Sequence, residues 1–209
     1  MNKFPKPNVV VSKCLGFARC RYDGKIVFDT IVRRLRPFVN FIPVCPETEI
    51  GLGIPRDTIR IISYRGKLHL YQPSTDKDLT RQMIQFTKRY LASLKDVDGF
   101  ILKSRSPSCG INHVKIYYSY QLNAKPKMGK GFFASAVKNK YPYLVIVDES
   151  GLKNLARREN FFTKIFSLAR FRMLERDIKE SKYPLSKIFL NPFPKELIEI
   201  SDLRKNRNK

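Results

Sequence analysis

Apolar residues fall into short β-branched runs separated by longer amphipathic stretches. The run Asn8-Val9-Val10-Val11-Ser12 is too short for a helix and reads as a buried strand. Residues 28–37 are predicted helical, with Phe28, Ile31, Val32 and Leu35 on one face and Pro37 as the stop. A second strand is expected over 39–44, and a β-like segment over 58–64 follows a loop carrying Gly51, Gly53 and Pro55. Leu79, Met83, Phe86, Tyr90 and Leu94 recur at helical spacing, which predicts a long helix over 75–94 with Thr75 as its cap. Phe100-Ile101-Leu102 is a third strand, and a fourth is expected over 143–147. Between them Gly129-Lys130-Gly131 opens a helix reaching about residue 140. Strands alternating with helices indicate an α/β sheet, mostly parallel.

The amphipathic stretch 155–178, with Phe161, Phe162, Ile165, Phe166, Ala169 and Met173 near one stripe, forms a separate helix. A length of 209 residues suits one full domain over 1–150, followed by a helical extension and basic tail over 151–209. Beyond Pro184 the chain is Pro-punctuated and is expected to end as a mobile tail. No apolar stretch approaches the roughly 20 residues of a membrane span. The start Met1-Asn2-Lys3-Phe4-Pro5 lacks the apolar region of a secretory signal. A soluble, cytoplasmic protein without a membrane partner is expected.

Charge changes the picture. Lys and Arg number 41 against 18 acids, a formal +23. The surplus is spread along the chain, with 26 bases to 11 acids in residues 1–150 and 15 to 7 in 151–209. Such a field favours polyanions or anionic substrates. The plainer reading is a solvated basic surface, because no basic block with interleaved aromatics stands out.

The candidate chemistry is carried by cysteine. Cys14, Cys45 and Cys109 each follow a predicted strand within a few residues. In an open parallel sheet, loops after the carboxyl ends of strands gather at one edge, where ligands bind. These thiols are therefore expected to converge, and soft sulfur donors select zinc or an iron–sulfur cluster. Paired C-x2-4-C zinc spacing is missing, and the closest pair is Cys14 and Cys20. Catalytic zinc would draw on His113 or Glu47 as its nearest non-sulfur ligand. Each cysteine taken singly could instead be a small buried hydrophobe. Glu47, two residues after Cys45, suits a general base, or else a helix-start or surface carboxylate. Ser106 and Ser108 either orient substrate or cap the next segment, and Gly110 allows close backbone approach. Gly129-Lys130-Gly131 either cradles an anion or forms an ordinary loop.

Several blocks in order resemble the thiouracil desulfurase (TudS-like) family. They are Ser12-Lys13-Cys14-Leu15-Gly16 with Arg21-Tyr22-Asp23-Gly24, Pro43-Val44-Cys45-Pro46-Glu47 with Gly51-Leu52 and Pro55-Arg56, and Leu102-Lys103 with Ser106-Pro107-Ser108-Cys109-Gly110. The resemblance implies a Rossmann-like, three-layer α/β domain holding a [4Fe-4S] cluster on Cys14, Cys45 and Cys109. It implies non-redox desulfuration of a thiolated nucleobase such as thiouracil, or a similar small thioamide, at an open iron. Glu47 would be the acid/base, and Ser106 or Ser108 would position substrate or water. Cys20 lies outside the pattern as a spare thiol, a resting-state fourth ligand or a redox-sensitive neighbour. The segments Arg158-Glu159-Asn160-Phe161-Phe162 and Phe166-Ser167-Leu168-Ala169-Arg170 look like the start of a helical domain often fused behind this one, with too few residues left to complete it. The alternative is a non-enzymatic, basic, metal- or cluster-containing module that binds nucleic acid. Thiolated RNA as substrate would join the two readings.

Overall fold

The computed structural model describes residues 4–118 and 125–179. Four strands, β1 (Asn8–Ser12), β2 (Asn40–Val44), β6 (Gly99–Leu102) and β9 (Val145–Asp148), form a wholly parallel sheet ordered β2-β1-β6-β9, with the central pair β1 and β6 buried and the edges half-buried. Helices cover both faces, the arrangement a parallel sheet requires. Val9, Val11, Ile101 and Val147 pack against α1 (Thr30–Leu35) and α6 (Leu155–Lys179). Val10, Phe100 and Leu102 pack against α3 (Thr80–Ser93) and α4 (Phe132–Lys140). Alternate residues of β1 thus feed opposite cores, as the two-residue period of a strand dictates. The α/β, three-layer expectation is met by this sheet.

A second sheet was not foreseen. Its strands, ordered β5-β4-β3-β7-β8, are β3 (Arg60–Tyr64), β4 (Lys67–Gln72), β5 (Lys77–Asp78), β7 (Val114–Tyr117) and β8 (Lys127–Gly129). Only the β3–β7 pair is parallel. The hairpin turn of β3 and β4 uses Arg65 and Gly66, both with positive φ, and the short Lys67–Leu70 alternation of β4 is blurred by half-exposed positions. This pairing also corrects the start of α3. Thr75 ends a short 3-10 turn, Lys77-Asp78 pairs with β4, and the helix begins at Thr80, whose hydroxyl accepts the Leu70 amide at 2.8 Å.

Two other boundaries moved for local reasons. Asp29 caps α1, its carboxylate accepting the Ile31 and Val32 amides at 2.9 Å, so Phe28 is excluded from the helix and is 82% exposed. Tyr143, expected in the fourth strand, stands outside β9 and is 94% exposed.

Phe161, Phe162, Ile165, Phe166 and Ala169 of α6 are buried in the same core as β1 and β6, while Met173 is half-buried. Arg172 ties the far end of that helix down, donating to Asp98 at 2.6 Å and to the Asp96 carbonyl at 2.9 Å. The tail expected beyond Pro184 lies outside the described residues. Among the described residues no helix is long and apolar enough to cross a membrane.

Candidate active site

Strands β1, β2 and β6 all point their carboxyl ends at one cavity of about 620 Å³. Cys14 lies two residues past β1, Cys45 directly after β2 and Cys109 in the loop after β6. All three line the cavity, so strand topology has gathered thiols far apart in sequence. Cys20 lines it as well, although it stands outside the sequence motifs. Each of the four is a buried, unoxidised thiol.

Local structure holds each sulfur in place. Cys45 is the N-cap of α2 (Pro46–Glu49), where Pro46 occupies the first turn. The Cys109 loop is closed by Ser106, whose hydroxyl oxygen accepts the amides of Ser108 and Cys109 at 3.2 and 3.1 Å. A Cβ on Gly110 would lie 2.8 Å from the Ser106 carbonyl and collide with Val114, so only glycine fits there. The start of α4 grips the same loop: the amides of Gly131, Phe132 and Ala134 donate to the carbonyls of Gly110, Pro107 and Ser108. The helix opening at Gly129-Lys130-Gly131 therefore spends its amides on this loop and does not cradle an anion. Gly131 is indispensable for packing, since a Cβ would sit 2.6 Å from the Ser108 carbonyl carbon.

The sulfurs perturb one another. A hydrogen bond with Cys14, reinforced by burial, pushes the Cys20 thiol up to about 11. Cys45 is raised further, first by its contact with Cys20 and then by burial, although Thr48 opposes the shift. Burial dominates at Cys109, with Ser12 pulling the other way. These thiols are held neutral in a dry environment. Neutral, buried, clustered thiols are what a thiolate-binding metal centre deprotonates as it binds.

Glu47 faces the cavity with both carboxylate oxygens engaged. Oε1 accepts the hydroxyls of Ser106 at 3.2 Å and Ser108 at 3.1 Å. Oε2 accepts Nη2 of Arg56 at 2.5 Å and its Nε at 3.2 Å. The hydrogen bonds come from two distant loops, so Glu47 is no mere helix-start carboxylate. Ser106 lines the cavity, whereas Ser108 is fully buried and reaches the site only through Glu47. Sequence reasoning gives Arg56 no role, although it stands beside Pro55 in one of the family blocks. Lys103 pairs with buried Glu149 at the same rim; burial raises that carboxyl, but Lys103 and Ser104 outweigh it and leave it below the usual carboxylate range.

The imidazole option for zinc finds no support. His69 pairs with Asp78 on the second sheet, and His113 is exposed and does not line the cavity. Among the described residues no three His, Cys, Asp or Glu side chains gather as a single ion demands. Four thiols around a roomy cavity without imidazole suit a larger, sulfur-rich centre.

Comparison with known proteins gives this geometry a context. The family model of 2-thiouracil desulfurase matches residues 9–149, and the chain belongs to that family. A relative from Bacillus subtilis (strain 168), the uncharacterized protein YbbK, is 29% identical over 137 residues, covering 62% of this chain and 89% of its own. A solved structure titled as a [4Fe-4S]-dependent thiouracil desulfidase, TudS, superposes with a TM-score of 0.57 at 24% identity, covering 74% of this chain and 99% of its own. That likeness demonstrates a shared fold.

Proposed function

We propose that this member of the 2-thiouracil desulfurase family removes sulfur from a thiolated nucleobase, or a similar small thioamide, by water addition at a [4Fe-4S] centre. The observation that carries the reading is the convergence of Cys14, Cys45, Cys109 and Glu47 on one cavity at the carboxyl edge of the parallel sheet. The donor set fits the group: Cys14, Cys45 and Cys109 would hold it, and no imidazole competes. When bound, it supplies an iron that polarises a thiocarbonyl as a Lewis acid.

The chain's own residues supply the remainder. Arg56 fixes the Glu47 carboxylate through Oε2 and leaves Oε1 turned toward Ser106 and Ser108. A water in the place of the Ser106 contact would find Oε1 as proton acceptor, with Ser108 holding that oxygen from behind. Ser106, lining the cavity, hands that proton position between solvent and carboxylate and orients the incoming oxygen. The thiols lie at the buried floor of the cavity, whereas Lys13, Arg21, Lys103 and Arg105 give the rest of its lining a basic character suited to an electron-rich sulfur substrate. The proposed desulfurase unit spans residues 1–150 and the helical extension with its basic tail 151–209, with the first helix of that extension packed into the core of the desulfurase unit, in a cytoplasmic protein.

The test is anaerobic reconstitution with iron and sulfide, followed by an iron count and assay of 2-thiouracil turnover. Full cluster loading with release of sulfide supports the reading. Stoichiometric zinc in protein purified anaerobically, with no turnover, refutes it.

A second reading, thiolated RNA as the substrate, is favoured by the outer face of the second sheet. The register puts Arg60, Tyr64, Lys67, Tyr71, Lys115 and Tyr117 on one side, with Arg60 over the Tyr117 ring at 5.4 Å. Residues 60–71 and 113–130 carry seven bases, and Asp78 of β5, in register with Tyr71, is an acid on the same face. Aromatic rings among cations suit stacked bases and backbone phosphates. Thr58 and Ile59, which line the cavity, lead directly into this sheet. Salt-dependent RNA affinity without thiouracil turnover would instead favour a non-enzymatic nucleic-acid module.

A further inference from the structure

Cys20 is the thiol the reading above leaves unused, and it is the most enclosed of the four, 2% exposed against 8% for Cys14 and Cys45 and 5% for Cys109. It lines the cavity together with Cys14 and Cys45, and the Cys45 thiol donates to its carbonyl at 3.7 Å. That carbonyl also accepts Nη1 and Nη2 of Arg56, each at 3.2 Å. The guanidinium that fixes Glu47 thus fixes the backbone of Cys20 too. The loop is stitched on either side, Ala18 to Lys13 and Arg56 to Tyr22 through backbone hydrogen bonds. Like Cys14 and Cys45, Cys20 backs onto the apolar core around Val11, Leu15 and Val32, and like them it also lines the cavity. It shares the setting of the two thiols the reading above already uses.

We infer that Cys20 is a fourth sulfur ligand of the cluster site, closing it in the substrate-free protein. The inference rests on the iron–sulfur reading above. Four thiolates are the ordinary complement of such a centre, and a set of three leaves one iron open. Substrate entry would then require Cys20 to release its iron, leaving that position to the substrate's sulfur, and the freed Cys20 thiolate would take a proton from solvent. No electron is transferred. Unlike Cys45, which caps a helix at the end of a strand, Cys20 sits between β1 and α1 outside any helix or strand, with its backbone held by Arg56, so that leaving the iron would take only a side-chain rotation.

The test uses the full chain, reconstituted anaerobically, as wild type, Cys20→Ala and Cys20→Ser. Iron content is measured before and after mild ferricyanide oxidation, with the three-iron cluster signal followed by electron paramagnetic resonance. The wild type is expected to keep its iron and give little three-iron signal. Cys20→Ala is expected to load and then lose one iron on oxidation, with strong growth of that signal; Cys20→Ser, offering a poorer oxygen ligand, should fall between. Equal sensitivity of wild type and Cys20→Ala overturns the inference while leaving the cluster reading intact. A disulfide from Cys20 to Cys14 or Cys45 in the anaerobically purified protein also overturns it. A wild type that takes up no iron defeats the cluster reading itself. If Cys20→Ala fails to fold, the serine variant carries the comparison.

Discussion

The two sheets handle charge in different ways. The parallel sheet is covered on both faces, and the cavity at its carboxyl edge combines buried thiols with ion pairs, Arg56 with Glu47, Lys103 with Glu149 and Arg21 with Asp23, and with the further bases Lys13 and Arg105. The mixed sheet buries one face, through Ile61, Leu70 and Val114, and presents Arg60, Lys67 and Lys115 on the other. Soft-donor chemistry needs the buried place, because a thiol gives up its proton there only to a metal. Electrostatic attraction of a polyanion needs the wet, basic one, where binding releases counterions. The basic surplus of the chain reaches the cavity, through Lys13 and Arg105, as well as the outer face of the second sheet.

That contrast is sharpened first by removing a thiol. Cys45→Ser is expected to abolish most iron uptake while circular dichroism of the fold is retained; unchanged iron would separate the cavity from the cluster. Glu47→Gln should keep the cluster and slow 2-thiouracil turnover by about 10²–10⁴-fold, since the amide cannot accept a proton. Iron content and melting temperature measured on the same sample check it, and a cluster-free variant would make Glu47 structural. Phe161→Ala should cost about 3–5 kcal/mol in a denaturant titration, because Phe161 is fully buried between α6 and the parallel sheet. A surface-like loss below about 0.5 kcal/mol would mean that α6 does not share this core.

Smaller effects belong to the second sheet and to the rim. Replacing Arg60, Lys67 and Lys115 together by Gln should leave thiouracil turnover unchanged and flatten the salt dependence of RNA affinity, by about 0.7–0.9 in slope for each phosphate that is no longer neutralised. An unaltered slope would dismiss the sheet face as an RNA surface. At Glu149 the folded-state carboxyl lies below its ordinary value, so its contribution to stability is present above about pH 4.5 and fades as the pH falls through the folded value. Glu149→Gln should flatten the stability profile in that acid range, and an identical profile would show the pair with Lys103 to be inconsequential.

Buried parallel strands are legible in sequence because burial on both faces demands continuous apolar runs, as in Val9-Val10-Val11 and Phe100-Ile101-Leu102. The mixed sheet is much less so. Leu68 and Leu70 are interleaved with Lys67, His69 and Tyr71 in a run whose period is blurred by half-exposed positions, and β5 is only two residues long. The apolar stripe overruns the true start of the helix at Thr80 for the same reason: Leu79 fits the helical spacing, but its backbone hydrogen bond to Leu70 of β4 sets the boundary.

Order along the chain, together with the rule that ligands collect where parallel strands end, was enough to bring Cys14, Cys45 and Cys109 to one edge. It was enough, too, to put Glu47 beside them, since Pro46 leaves little freedom between Cys45 and that carboxylate. Tertiary structure alone decided which partners the carboxylate would have. Arg56 and the two serines reach Glu47 across 9, 59 and 61 residues, and pairings at such separations leave no periodic trace. The same holds for Cys20: nothing in its spacing distinguishes a spare thiol from a ligand, and only the folding back of its loop under the Arg56 guanidinium brings it to Cys14 and Cys45.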